Sequence, residues 1–169
     1  MTGHPTEVGA TGAANLASDS IGRSGERRSV AVHYNFSTHN RRQVFEVEEF
    51  RVLIEKLLLQ IAAEKDLEVI ALKVLADHVH LLIRKDTRRS DAEVMQSLKG
   101  VSAWYFFLQY PDVKEDLGSQ SLWTHGYYSR FVSRGDVPRV VQYIKQQRDS
   151  QGTDKRYHDG LTLERPPSR

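Results

Sequence analysis

The spacing of hydrophobic residues changes several times along the chain, and each change marks a predicted element. Residues 30–37 are β-branched and aromatic, which is typical of a strand. Apolar residues from Phe50 to Ile61 then recur every three or four positions, which predicts an amphipathic helix over residues 46–65. The later segments predict strands at 67–75, 78–84 and 122–133, and helices at 90–108 and 137–148.

Local signals at the element boundaries indicate how these pieces connect. Only Ala76 and Asp77 separate the second and third strands, so those strands must pair antiparallel. Ser90 and Glu93 have the spacing of a capping box, and Asp136 is placed to cap the last helix. The order β-α-β-β-α-β plus a terminal helix resembles the ferredoxin-like, split βαβ plan. We therefore expect an α+β fold, a four-stranded antiparallel sheet with helices on one face and a further C-terminal helix.

Composition limits the class of protein. With 39% hydrophobic and 27% charged residues, the chain can form one core, which excludes full disorder. The absence of cysteine excludes disulfides, thiolate metal sites and cysteine catalysis, and it fits the cytoplasm, the location we expect. No stretch approaches the roughly 18 apolar residues of a membrane span. Residues 1–28 and 151–169 read as flexible tails, which leaves one domain at 29–150.

The charge of the chain argues against a globally basic nucleic-acid binder. Lys and Arg number 24 against 22 Asp and Glu, a net charge of +2, so positive charge for a nucleic acid must be local. Basic residues do cluster near the last helix and after the third strand, and each could equally be an ordinary solvated charge; the candidate DNA contacts are Arg84, Arg130, Arg134, Arg139 and Lys145. Trp123, Tyr127 and Tyr128 could stack on unpaired bases. Trp104 is more typical of a core or an interface between copies.

Two histidines form the sharpest chemical feature. Residues two apart on a strand point to the same face, so His78 and His80 project side by side, while Val79 and Leu81 face the helices. Two neutral imidazoles placed in this way can bind one divalent ion, although two exposed histidines would give the same pattern. Position 82 is leucine, which weakens the interpretation as a histidine-triad hydrolase.

The last predicted helix carries a candidate nucleophile and a candidate ligand. Tyr143 and Gln147 are four residues apart and would share a helix face. A tyrosine hydroxyl can form a covalent ester, but its pKa of about 10 requires a nearby cation. Gln147 could add an amide oxygen to the two histidines, and such a set suits Mg²⁺ or Mn²⁺. A single helical tyrosine is more often a packing residue, so Tyr143 is not specific by itself.

Four segments together carry a family resemblance: ADHVHLLIR, QSLKGVSAWYF, LWTHGYYSRFV and VVQYIKQQ. In this order and spacing the chain resembles the single-tyrosine HUH transposases of bacterial insertion sequences of the 200/605 kind, which are related to the REP-associated tyrosine transposases. The resemblance covers about residues 29–150. REP-associated members usually have Asn-Pro after the Tyr-Ile, whereas Lys145 and Gln146 follow here, which favours the insertion-sequence branch.

The resemblance implies a catalytic role for Tyr143 and a metal site formed by His78, His80 and Gln147. Tyr143 would cleave single-stranded DNA at hairpin-containing element ends and keep a 5′-phosphotyrosine link, with Mg²⁺ or Mn²⁺ bound. It also implies a homodimer in which the Tyr143 helix of one subunit can complete the site of the other. Lys99 matches a family position and is a possible phosphate contact.

Two other functions remain open at this point. A non-catalytic single-stranded nucleic-acid-binding protein, a domesticated transposase, would use the same sheet and form no adduct. A metal-dependent phosphoesterase that uses water would not need Tyr143.

Overall fold

The computed structural model of the chain describes residues 28–118 and 121–148. The predicted tails at 1–28 and 151–169 lie outside the described residues, apart from Arg28. The helices and strands are β1 Ser29–Ser37, α1 Glu48–Glu64, β2 Glu68–Val74, β3 His78–Asp86, α2 Asp91–Gln109, α3 Pro111–Asp116, β4 Tyr128–Val132 and α4 Val137–Lys145. All strand pairs are antiparallel and the sheet order is β2-β3-β1-β4. The predicted α+β, ferredoxin-like fold is confirmed.

The main core lies between one face of the sheet and helices α1 and α2. The apolar stripe of α1, including Ile54, Leu58 and Ile61, packs against the inward side chains of β1 and β3. Val79 and Leu81 are among those inward residues and are fully buried, as the alternation along β3 predicts. Burying a side chain of this size stabilises the fold by about 1.5–3 kcal/mol.

The predicted capping box begins α2 and is joined by a partly buried polar cluster. Ser90 Oγ accepts from the Glu93 backbone N–H at 3.2 Å, and the Ser90 N–H donates to Glu93 Oε2 at 2.8 Å. In the next position Asp91 accepts a hydrogen bond from the Tyr34 hydroxyl at 2.7 Å and pairs with Lys85 Nζ at 3.1 Å. These contacts fix the first turn of α2 to β1 and β3.

Two predictions about the C-terminal third are wrong. The last strand is only Tyr128–Val132, because the segment before it is a loop that buries Trp123 against the main core. Asp136 does not cap α4: it lies in a 3-10 turn that continues directly into the helix, so its backbone is already helical. Its carboxylate instead accepts from Ser133 Oγ at 2.6 Å and from Arg139 at 3.0 Å.

Helix α4 covers part of the second face of the sheet, a position that the sequence did not predict. It ends at Lys145 rather than near residue 148. Its buried residues Val140 and Ile144 form a small second core with apolar residues of all four strands, namely Ala31, Ala71, Leu82 and Val132. Within the described ranges, no helix is long and apolar enough to cross a membrane.

Lys99 of α2 holds the loop that precedes β4. Its ammonium donates to three backbone carbonyls, those of Thr124 at 2.6 Å, Gly126 at 3.1 Å and His125 at 3.2 Å. Partial burial lowers the pKa of Lys99 to about 8. Ser102, on the same helix, accepts from Trp123 Nε1 at 3.1 Å, so α2 fastens this loop at two points.

We expect Lys99→Met to lower the free energy of unfolding by about 1.5–3 kcal/mol, because it keeps the aliphatic stem and removes hydrogen bonds from a charged donor. Urea unfolding followed by tryptophan fluorescence measures this change. Lys56→Met, at an exposed position of α1, is the control and should cost less than about 0.5 kcal/mol. Equal stability of the two variants would show that the three carbonyl contacts contribute nothing.

Candidate functional site

The docking of α4 determines where the candidate nucleophile lies. Val140 and Ile144 face the sheet and pack on Ala71 of β2 and Leu82 of β3. Tyr143 is the residue before Ile144 and is half-buried at the border of this small core. The helix therefore holds the tyrosine on the same sheet face as the alternating polar residues of β3.

His78 has a carboxylate partner, Asp77, to which the sequence assigned no role in the site. Its Nδ1 lies 2.6 Å from Asp77 Oδ1, and Asp77 Oδ2 accepts from Arg41 Nε at 3.0 Å. A carboxylate on Nδ1 keeps the proton of a neutral imidazole on that nitrogen and leaves Nε2 as the acceptor. The Asp77 contact thus leaves Nε2 as the nitrogen of His78 that could bind a metal.

His80 is buried, 3% exposed, and its ring centroid lies 5.0 Å from that of His78. Its Nδ1 lies 3.1 Å from His33 Nε2, with the two rings stacked at 5.3 Å between centroids. Burial, and then the neighbouring His33 and His78, lower the pKa of His80 to about 2. Burial and then Arg130 lower the pKa of His33 to about 4. Both rings are therefore neutral at pH 7.

His33 is the site residue that the sequence analysis missed. It lies on β1, opposite Leu82 in the register and two residues along from the Asn35–His80 pair, on the same face of the sheet. The available signal was its position in the first strand, because the ferredoxin-like order places that strand beside the His78–His80 strand. The register between the strands, which brings His33 to His80, could not be read from the sequence.

Tyr143 contacts both buried histidines edge-on. Its ring centroid lies 5.7 Å from that of His80 and 6.2 Å from that of His33, at interplanar angles of 87° and 75°. This arrangement occurs within one chain. The structure thus brings together His78, His80 and Tyr143, three of the four residues proposed for catalysis and metal binding.

Gln147, the fourth, lies beyond the last turn of α4 rather than on the helix. Its backbone N–H donates to Ile144 O at 3.2 Å, and its side-chain Nε2 donates to Tyr143 O at 3.2 Å. The amide oxygen Oε1 is then the atom that could ligate a metal. Among residues 28–118 and 121–148, no three His, Cys, Asp or Glu side chains are arranged to hold a metal ion, so a third protein ligand would have to be of another type, such as this amide.

The candidate DNA contacts lie in different surroundings. Arg130 of β4 is opposite His33 in the register, and its Nη1 is buried with no hydrogen-bond partner in the described part of the chain. Arg134 and Lys145 are exposed at the two ends of α4. The rest have protein partners: Arg84 pairs with Glu68 at 3.0 Å, Arg139 with Asp136, and Lys99 with the three loop carbonyls.

The expectation that Trp123 could stack on unpaired bases is wrong. Trp123 is 3% exposed and packs between Phe36 and Phe45, so it cannot stack on a base. Trp104 is 62% exposed, which excludes the core of this chain, and its predicted place at an interface between copies stays a prediction. Trp123 is buried because its loop packs against the main core, where its indole Nε1 donates to Ser102 Oγ.

Comparison with known proteins identifies the family of the chain. Residues 26–147 match the family model described as IS200-like transposase. The chain is 36% identical over 98 residues to the ISDra2 transposase TnpA of Deinococcus radiodurans, covering 58% of this chain and 70% of that protein. It is 29% identical over 115 residues to the transposase for insertion sequence element IS200 of Salmonella typhimurium, covering 68% and 74%.

Solved structures show the same fold. A Deinococcus radiodurans R1 protein assigned as a transposase superimposes with a TM-score of 0.60 at 30% identity, covering 75% of this chain and 96% of that one. A REP-associated tyrosine transposase bound to a REP hairpin gives 0.50 at 13% identity, covering 68% and 64%, a likeness of fold alone. Because the family model matches most of the chain, this protein belongs to the IS200-like transposase family.

Proposed function

We propose that this transposase cleaves and rejoins single-stranded DNA through a covalent 5′-phosphotyrosine link on Tyr143. The observation that carries the proposal is the contact of the Tyr143 ring with His80 and His33 on one sheet face. A phenol needs a cation or Lewis acid beside it to act as a nucleophile, and His78 and His80 are where one would bind.

The reaction balances without an external energy source. The Tyr143 oxygen bonds to phosphorus while the bond from phosphorus to the 3′ oxygen breaks, and the phenolic proton ends on the released 3′ hydroxyl. The phosphodiester energy is retained in the tyrosyl ester. A 3′ hydroxyl can later attack that ester, so joining is the reverse reaction and requires no ATP.

The residues present fit a divalent metal, Mg²⁺ or Mn²⁺, held by His78, His80 and Gln147. The hydrogen bond from His78 to Asp77 is the partner expected of a metal-ligating histidine. The buried, neutral His80 is in the protonation state that ligation requires. When bound, the metal would polarise a phosphodiester oxygen and offset the charge that develops on it. Asp77 and Arg41 keep His78 in position.

Positive side chains around the site would hold the DNA strand. The buried, unpartnered Nη1 of Arg130 is beside His33 and is suited to a phosphate at the site. Arg134 and Lys145 are exposed near α4 and could follow the backbone on either side. A protein of this fold was solved bound to a REP hairpin, which supports hairpin-containing single-stranded DNA as the partner.

The homodimer, with Tyr143 acting in the partner's site, stays a prediction. The Tyr143 contact within one chain supports a site that a single chain can assemble. The alternative of a non-catalytic single-strand binder is less well supported, because α4 occupies part of the sheet face that such a platform would use.

Tyr143→Phe should abolish the covalent protein–DNA adduct while leaving strand binding intact, since only the hydroxyl is removed. Incubation with labelled single-stranded hairpin DNA and Mn²⁺, followed by denaturing electrophoresis, measures the adduct. Tyr128→Phe, an exposed tyrosine on β4, is the control that should retain it. An adduct in Tyr143→Phe would contradict the nucleophile, and strand cleavage without an adduct would favour the water-using phosphoesterase.

Chelation with EDTA should stop cleavage, and added Mn²⁺ or Mg²⁺ should restore it. His78→Ala should lower the cleavage rate by about 100-fold or more, because Lewis-acid stabilisation of phosphoryl transfer is worth several kcal/mol. Pre-steady-state cleavage at saturating DNA measures this effect. Full activity in EDTA would exclude the metal from the chemistry.

Arg130→Met should weaken DNA binding and reduce the slope of log K against log salt by about 0.7, the value for one phosphate contact on a single strand. Both quantities are measured by anisotropy in the Tyr143→Phe background, which prevents adduct formation. Lys56→Met lies on α1, on the other side of the sheet, and should leave the slope unchanged. The same slope in both variants would remove Arg130 from the DNA contacts.

A further inference from the structure

One buried histidine has no role in the function proposed so far. His33 lies on β1, is 8% exposed, and places Nε2 3.1 Å from His80 Nδ1. The contact joins residues of two neighbouring strands, so the sheet itself fixes it. A buried polar ring needs a partner for its nitrogens, and here the partner is a candidate metal ligand.

The direction of this hydrogen bond decides which nitrogen of His80 can bind a metal. In a neutral imidazole one nitrogen carries a proton and the other is an acceptor. If His80 Nδ1–H donates to His33 Nε2, the lone pair of His80 Nε2 faces the site. If His33 donates, the proton of His80 is on Nε2 and blocks ligation through that atom.

We propose that His33 is a positioning residue that accepts the Nδ1–H of His80 and so presents His80 Nε2 to the metal. His78 has the same arrangement, with Asp77 as the acceptor on its Nδ1. Each candidate ligand then has its own hydrogen-bond partner. Asp77, just before β3, serves His78, and His33 of β1 serves His80. The proposal rests on the proposed function, because it requires a metal at His80.

The geometry argues against two simpler roles for His33. It is not a third metal ligand, since no three His, Cys, Asp or Glu side chains in the described ranges converge on one metal position. It is not an inert packing residue either, because its ring nitrogen is within hydrogen-bond distance of the ligand and its ring is stacked at 26° on it. An apolar side chain would fill the space and lack the acceptor.

His33→Phe in the full chain tests the proposal, because it keeps a stacked ring and removes the acceptor. We expect the Kd for Mn²⁺, measured without DNA by electron paramagnetic resonance, to rise by about 10–100-fold. His33→Gln should recover most of the affinity, since its amide oxygen can accept at the reach of the imidazole Nε2. His125→Phe, at an exposed histidine of the loop held by α2, should bind Mn²⁺ like the parent. Thermal unfolding confirms that each variant is folded.

A second measurement reads the tautomer directly. Long-range ¹H–¹⁵N correlation spectra of the metal-free parent should show the His80 proton on Nδ1, and His33→Phe should move it toward Nε2. A proton on Nε2 in the parent would overturn the proposal. Unchanged Mn²⁺ affinity in His33→Phe would overturn this role of His33 and leave the proposed metal site standing. A parent that binds no Mn²⁺ would overturn the proposed metal site and this role of His33 with it.

Discussion

The site depends on one apolar contact, the packing of α4 on the second face of the sheet. Leu82 is the centre of that contact, because it is fully buried beneath the helix residues Val140 and Ile144. Leu82 also continues the alternation that begins with His78 and His80. Position 82, where a third alternating histidine would stand, therefore provides the apolar surface that holds the tyrosine helix. The same strand thus carries both candidate metal ligands and the surface on which α4 packs.

Burial and hydrogen bonding act together on the histidines. Exclusion from water keeps His80 and His33 neutral, and a metal ligand must be neutral. Burial of a polar ring without a hydrogen-bond partner would be costly. The hydrogen bond between the two rings satisfies one nitrogen of each. Arg130 adds a positive charge beside the pair and further disfavours a protonated His33. Neutral imidazoles beside a buried guanidinium give the site the charge that the proposed metal and phosphate would require.

The sequence predicted those features that depend on periodicity. The element order apart from the short helix α3, the inward face of β3 and the Ser90 capping box follow from local spacing and are confirmed. Predictions failed where tertiary contacts overrode a local signal. The aromatic segment before β4 has the composition of a strand, yet Trp123 is drawn into the core and the chain there is a loop. Asp136 has the residue type of a cap, but the preceding turn has already made its backbone helical.

His33 illustrates a different limit, because its role depends on the register between strands that are distant in sequence. The docking of α4 also depends on contacts distant in sequence, and its energy bears on the predicted dimer. Burial of Val140 and Ile144 contributes about 3–6 kcal/mol at most, and ordering nine residues opposes it. A second copy of the chain offers the same sheet surface, so exchange of α4 between two chains would conserve this buried contact. The contact seen within one chain is therefore compatible with the predicted exchange.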